Sequence, residues 1–161
     1  MSEVTAQNLG FMREALAMAQ TGIQRGEGGP FGAVIVRHNQ IIGTGWNCVI
    51  SQHDPTAHAE ILAIRQACHH LQRPHLDNSI LYTTCEPCPM CLSAAYWARL
   101  DAVYYAATAA DAAAIGFDDT LIYQQLSQPA IQRQLPLYPL LREEALRVFQ
   151  QWQQSPLKQA Y

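Results

Sequence analysis

Lysine is almost missing from this 161-residue chain, where Lys158 is the only one. The remaining basic residues are scattered along a chain of net charge −3. Proteins that grip a nucleic-acid backbone usually gather Lys and Arg on one surface, so this pattern points to a small uncharged substrate and no nucleic-acid partner. No apolar run approaches membrane-spanning length, and Met1-Ser2-Glu3-Val4 lacks the basic and apolar blocks of a secretion signal. No membrane partner is expected. There is no internal repeat and no low-complexity linker, so 161 residues with 49% hydrophobic content are expected to form one domain, residues 1–161. Five cysteines, three of them candidate metal ligands, fit a reducing, cytoplasmic setting better than a disulfide framework.

Chemistry is concentrated in two short stretches, His58-Ala59-Glu60 and Pro87-Cys88-Pro89-Met90-Cys91. A His nitrogen and two Cys thiolates suit tetrahedral zinc, and three protein ligands leave a fourth position for water, as catalytic sites do. Zinc lowers the pKa of such a water towards neutrality, and a nearby carboxylate can take up its proton. Glu60, two residues from His58, is the candidate shuttle. Cys85 leaves a second possibility open, since Cys85, Cys88, Cys91 and His58 together would close a four-ligand structural site. Cys48 and Cys68 read as small buried hydrophobes.

Asp54-Pro55-Thr56 reads as a turn and cap before a helix over Ala57–Leu71, with Ile61, Ile64, Ala67, Cys68 and Leu71 at core-facing spacing. On an ideal helix His58 and Glu60 would point to nearly opposite sides. Their cooperation therefore requires the site to lie off the helix end. Ser79–Thr84 reads as a strand, followed by a helix whose first position is Pro87 and whose first turn carries both cysteines.

Elsewhere the pattern predicts a helix over Val4–Gln24, strands at Phe31–Arg37, Ile41–Cys48, Ala102–Ala106 and Leu135–Leu140, and helices at Asp111–Ile115, Thr120–Leu126 and Arg142–Gln153. Helices interleaved with strands after an opening hairpin imply an α/β sandwich with a mixed sheet. Gly26-Glu27-Gly28-Gly29-Pro30-Phe31-Gly32 precedes a strand and lacks the Lys-Ser/Thr of a phosphate loop, so it reads as a tight turn bringing Phe31 towards the pocket. The five other histidines read as surface or loop residues.

The His-x-Glu and Pro-Cys-x-x-Cys blocks match the zinc nucleobase deaminase signature at every specified position. With Gly-Gly-Pro-Phe-Gly-Ala-Val-Ile-Val from Gly28, Asp-Pro-Thr-Ala-His-Ala-Glu from Asp54, Tyr-Trp-Ala-Arg from Tyr96, Gly-Phe-Asp-Asp from Gly116 and terminal Tyr161, the chain resembles bacterial guanine deaminases of the cytidine/deoxycytidylate deaminase-like zinc superfamily. The resemblance implies a three-layer α/β/α sandwich around a five-stranded mixed sheet. It also implies zinc-dependent hydrolysis of guanine to xanthine and ammonia, by attack of zinc-bound hydroxide on C2.

Carried over by position, His58, Cys88 and Cys91 hold one zinc per subunit, Glu60 shuttles protons, and Asp119 assists the leaving amine. Asn47 would hydrogen-bond a free purine base, with Phe31 and Trp97 as ring walls. A homodimer is implied, its C-terminal segment of about 141–161 exchanged so that Tyr161 closes the partner's pocket. Judged on residues alone, Phe31 and Trp97 serve equally well as core, Asn47 as a turn former and Asp119 as a helix cap. Two other readings share the zinc motifs: a tRNA adenosine deaminase, which often carries a basic tail that this chain lacks, and a non-catalytic zinc-binding scaffold, for which Glu60 would be superfluous.

Overall fold

The computed structural model describes residues 4–160. The chain divides into two compact units, one running to Asp119 and the other beginning at Thr120.

The first unit is built on a strand buried on both faces. In β1 (Gly32–Arg37) the side chains alternate, so Ala33 and Ile35 face one way and Val34 and Val36 the other. Helix α1 (Ala6–Arg25) covers the second face, placing Ala15 against Val34, Val36 and Tyr82. It starts at Thr5, whose hydroxyl accepts from the Asn8 amide while the Asn8 side chain accepts from the Thr5 amide, a reciprocal capping box. Helix α3 (Ala59–Leu71) covers the first face with Ala59, Ala63, Ile64 and Ala67, joined there by Leu76, Leu81 and Ala98. Burying side chains such as Ile35 and Leu81 contributes about 1.5–3 kcal/mol each. Helix on sheet on helix gives the three-layer α/β/α order that the family resemblance implied.

The sheet order is β2-β1-β3-β4, with β2 spanning Gln40–Trp46, β3 Ser79–Cys85 and β4 Ala102–Ala107. β1 runs antiparallel to both β2 and β3, whereas β3 and β4 are parallel, as the crossover through α4 (Pro89–Trp97) demands. The sheet is mixed, but among the described residues it has four strands and not five. The missing one is Leu135–Leu140, which forms no ladder. Pro136 and Pro139 remove two backbone donors from that stretch, a loss that outweighs its apolar leucines.

A short helix α2 (Val49–Gln52) follows β2, and α5 (Ala109–Ala114) follows β4. The second unit holds α6 (Thr120–Ser127), a 3₁₀ turn at Ala130–Gln132 and α7 (Arg142–Gln154). On α7, Val148, Phe149 and Trp152 are 59%, 67% and 48% exposed. With Gln153 and Lys158 they line a groove of about 590 Å³.

Candidate metal centre and active site

Two helix N-termini meet at the C-terminal end of β3. His58 is the N-cap of α3 and Cys88 the N-cap of α4, both with extended backbone (φ/ψ −72/153° and −62/166°), and neither side chain caps its own helix. An N-cap side chain normally bonds back to the first-turn amides, so these two are released to point at a shared centre. Helix α4 opens with Pro89, and not with Pro87, at its first position; α3 opens at Ala59, two residues later than the periodicity suggested. Both shifts come from the ligands occupying the caps. They also remove the difficulty of two-residue spacing, because His58 lies outside the helix in whose first turn Glu60 sits.

His58 Nδ1 lies 3.6 Å from Cys88 Sγ and 3.4 Å from Cys91 Sγ. A tetrahedral zinc with bonds of about 2.3 Å to sulfur and 2.0 Å to nitrogen would set N and S about 3.5 Å apart. The three ligand atoms all fall within 4.8 Å of one another, so the group is positioned to bind one metal ion. In the metal-free chain the Cys88 thiol is pushed down to about 4, chiefly by the Cys91 hydrogen bond and further by His58, against the opposing effect of burial. Cys91 is raised, first by that same hydrogen bond and then by burial. Hydrogen bonding to Cys88 also raises the pKa of His58. A divalent cation displaces such protons when it binds.

Cys85 does not join the group. It is buried, its Sγ contacts Thr108 O at 3.6 Å, and desolvation, with the charges of Glu60, Glu86 and Asp119, pushes it up to about 11. The closed four-ligand arrangement is therefore not formed, and the three-ligand set leaves a coordination position for water.

Glu60 is 6% exposed, and burial pushes its carboxyl above the usual range. Thr83 Oγ1 donates to Glu60 Oε1 at 3.3 Å, and Cys91 also hydrogen-bonds the carboxylate. A buried carboxyl beside a metal site, with its pKa raised by desolvation, holds a proton more readily than an exposed one, as an acid–base group requires.

Asn47, 5% exposed, follows β2. Its Oδ1 accepts from the Gly29 amide and the Val49 amide, each at 3.2 Å, which orients the side-chain amide and leaves its two N–H donors for a further partner. Phe31 is half-buried and meets Phe117 edge to face, with ring centroids 4.9 Å apart. Asp119 ends the first unit; burial raises its carboxyl, and the charges of Cys88, Asp118 and Glu86 raise it further. Trp97 is the last residue of α4, six positions beyond Cys91 and 70% exposed. Tyr161 lies outside the described residues.

Three residues here were not assigned a role from the sequence. Thr83 looks like any polar residue in a strand, and only the Ala33–Thr83 register shows that it faces α3. Glu86 accepts from the Ala109 amide at 3.1 Å and so ties the cysteine loop to α5. Phe117 belongs to the Gly-Phe-Asp-Asp block, but its pairing with Phe31 bridges distant segments.

Comparison with known proteins agrees with this geometry. The family described as "Cytidine and deoxycytidylate deaminase zinc-binding region" matches residues 5–107. The guanine deaminase of Bacillus subtilis (strain 168) is 51% identical over 151 residues, covering 94% of this chain and 97% of the relative. The X-ray structure of a Bacillus subtilis guanine deaminase superposes with a TM-score of 0.91 at 50% identity, covering 95% of this chain and 98% of that one. A tRNA-specific adenosine deaminase of Haemophilus influenzae is 45% identical over 114 residues, which is 67% of this chain and 65% of that protein.

Proposed function

Because the chain belongs to the cytidine and deoxycytidylate deaminase zinc-binding family, we propose that it is a zinc-dependent guanine deaminase, hydrolysing guanine to xanthine and ammonia. The single observation that carries this reading is a His58–Cys88–Cys91 group with the buried, unligated carboxylate of Glu60 beside it, in a chain similar to a guanine deaminase over nearly its whole length.

His58, Cys88 and Cys91 would hold the zinc, one per chain. When bound, zinc supplies the Lewis acidity that makes water a nucleophile near neutral pH. The residues then divide the work. Glu60 takes the proton released as the nucleophile forms and returns it towards the ring; burial gives it the affinity for that proton, and Thr83 fixes its rotamer. Asn47, held through Oδ1, offers its N–H donors to the purine edge. Asp119, with its raised pKa, protonates the departing amine as the C2–N bond breaks and ammonia leaves. Phe31 and Trp97 wall the ring. One water enters and one ammonia departs for each xanthine formed.

The protein acts as a homodimer. The apolar face of α7 and the aromatic Tyr96 and Trp97, 77% and 70% exposed, support a second copy as partner. The segment of about 141–161 exchanges between subunits, carrying Tyr161 over the partner's site. The protein works in the cytoplasm; among the described residues, no helix is long and apolar enough to cross a membrane.

The activity is tested by incubating the zinc-loaded protein separately with guanine, guanosine and tRNA and following ammonia and xanthine. Ammonia from guanine is expected. Turnover of tRNA adenosine without turnover of guanine would transfer the chain to the RNA-acting branch, and no ammonia from any substrate would leave a zinc-binding scaffold.

A further inference from the structure

We infer that Phe117 is a positioning residue of this deamination, latching the segment that carries Asp119 to the loop that holds Asn47; the inference rests on the guanine deaminase reading. The Phe117 ring meets Phe31 nearly perpendicularly, at 86°, with centroids 4.9 Å apart. Edge-to-face pairs of this kind are favoured by the ring quadrupoles, which makes the contact directional.

The pairing depends on Gly29. A Cβ there would stand 2.8 Å from Phe117 Cζ and 2.9 Å from Phe31 Cε2, closer than real contacts allow. The same residue donates its amide to Asn47 Oδ1. One glycine therefore lies under both rings and also bonds the side chain proposed to read the purine.

On the other side, Phe117 is aimed by the end of α5. Gly116 sits at φ +97°, the Gly116 amide bonds Ala113 O and the Phe117 amide bonds Ala112 O, both at 3.0 Å. This is a Schellman closure, and the positive φ turns the chain sharply after the helix. The start of α5 is anchored by Glu86, which lies between Cys85 and Cys88. The segment leading to Asp119 is thus tied to the cysteine loop at one end and to Phe31 at the other. Phe117 is 45% exposed and belongs to neither hydrophobic core cluster of the first unit, so the contact with Phe31 is not a by-product of core packing.

The test is a double-mutant cycle on the zinc-loaded enzyme, with Phe117→Leu made in the wild-type and Asp119→Asn backgrounds and zinc content verified in each. In the wild-type background Phe117→Leu should lower kcat about 10- to 100-fold with little change in KM, the range for displacing a group that must be held to within about 1 Å. In the Asp119→Asn background it should cost less than about twofold, because the group it positions is already disabled. Gly29→Ala, which forces the rings apart from the other side, should reproduce the kcat loss. Equal losses in both backgrounds, or unaltered kcat in Phe117→Leu, would overturn the latch. A wild-type protein that releases no ammonia from guanine would overturn the reading on which it rests, and the latch with it.

Discussion

Thr83 reaches across from β3 to donate to Glu60 at 3.3 Å, joining a side chain that is fully buried in the sheet to the first turn of α3. Glu60 is held by packing as much as by its place near His58. The strand residue keeps the carboxyl beside the ligand group, while burial keeps its pKa high. The role proposed for Glu60, carrying a proton, calls for both properties: reach to the reacting atoms and a pKa raised above that of an exposed carboxylate.

Replacing Glu60 by Gln preserves shape and still accepts from Thr83 but removes the titratable oxygen. Zinc should remain stoichiometric, while turnover of guanine falls about 10²- to 10⁴-fold. Metal analysis paired with kcat on the same preparation checks this. Normal turnover would remove Glu60 from the mechanism.

Stripping the metal exposes an unequal set of thiols. Cys88, pushed down to about 4, is thiolate at pH 6, whereas Cys85, pushed up to about 11, is thiol, and burial also raises Cys48 and Cys68. Because the thiolate is the nucleophile, iodoacetamide at pH 6 should label Cys88 first in the chelated protein and spare it in the zinc-loaded one. Peptide mapping decides. Preferential labelling of Cys85 would contradict the arrangement.

Asp119→Asn should lower kcat far more than it raises KM, since protonation of the leaving amine is needed only in the transition state. Steady-state kinetics on guanine give the split. A rise in KM with kcat preserved would make Asp119 a binding group.

Asn47→Ala should act in the opposite sense. It withdraws the two donors proposed to bond the purine and leaves the Gly29 and Val49 amides without their acceptor. KM should rise, and stability should drop by about 1–3 kcal/mol for the buried groups left unpaired. Kinetics and a denaturant melt measure the two effects separately. An unchanged KM would leave Asn47 as a loop brace alone.

Exchange of the C-terminal segment predicts complementation. Glu60→Gln and Tyr161→Ala chains, each nearly inactive alone, are unfolded and refolded together at equal amounts. Random pairing makes half of the dimers mixed, and one site in each mixed dimer has both groups, so about a quarter of wild-type activity should return. Mass-verified mixed dimers without recovery would rule the exchange out.

Much of this protein was already legible as a string of residues. His58, Glu60, Cys88 and Cys91 declare their chemistry by type and spacing, because metal ligation and proton transfer need particular atoms. The opening helix, the β1–β2 hairpin and the α3–β3–α4–β4 order followed from local periodicity within one or two residues at most ends. Local pattern misled at Leu135–Leu140, where apolar alternation suggested a strand and the two prolines prevented one.

Tertiary structure alone decided that His58 and Cys88 are caps and not helical residues, that Thr83 holds Glu60, and that Phe117 meets Phe31. The difference has a physical reason. Backbone propensity and ligand chemistry act within a few neighbouring residues, so a short window of sequence contains them. The meeting of a strand, two helix starts and two loops at one point depends on how a whole sheet buries both its faces, and no window of the chain contains that.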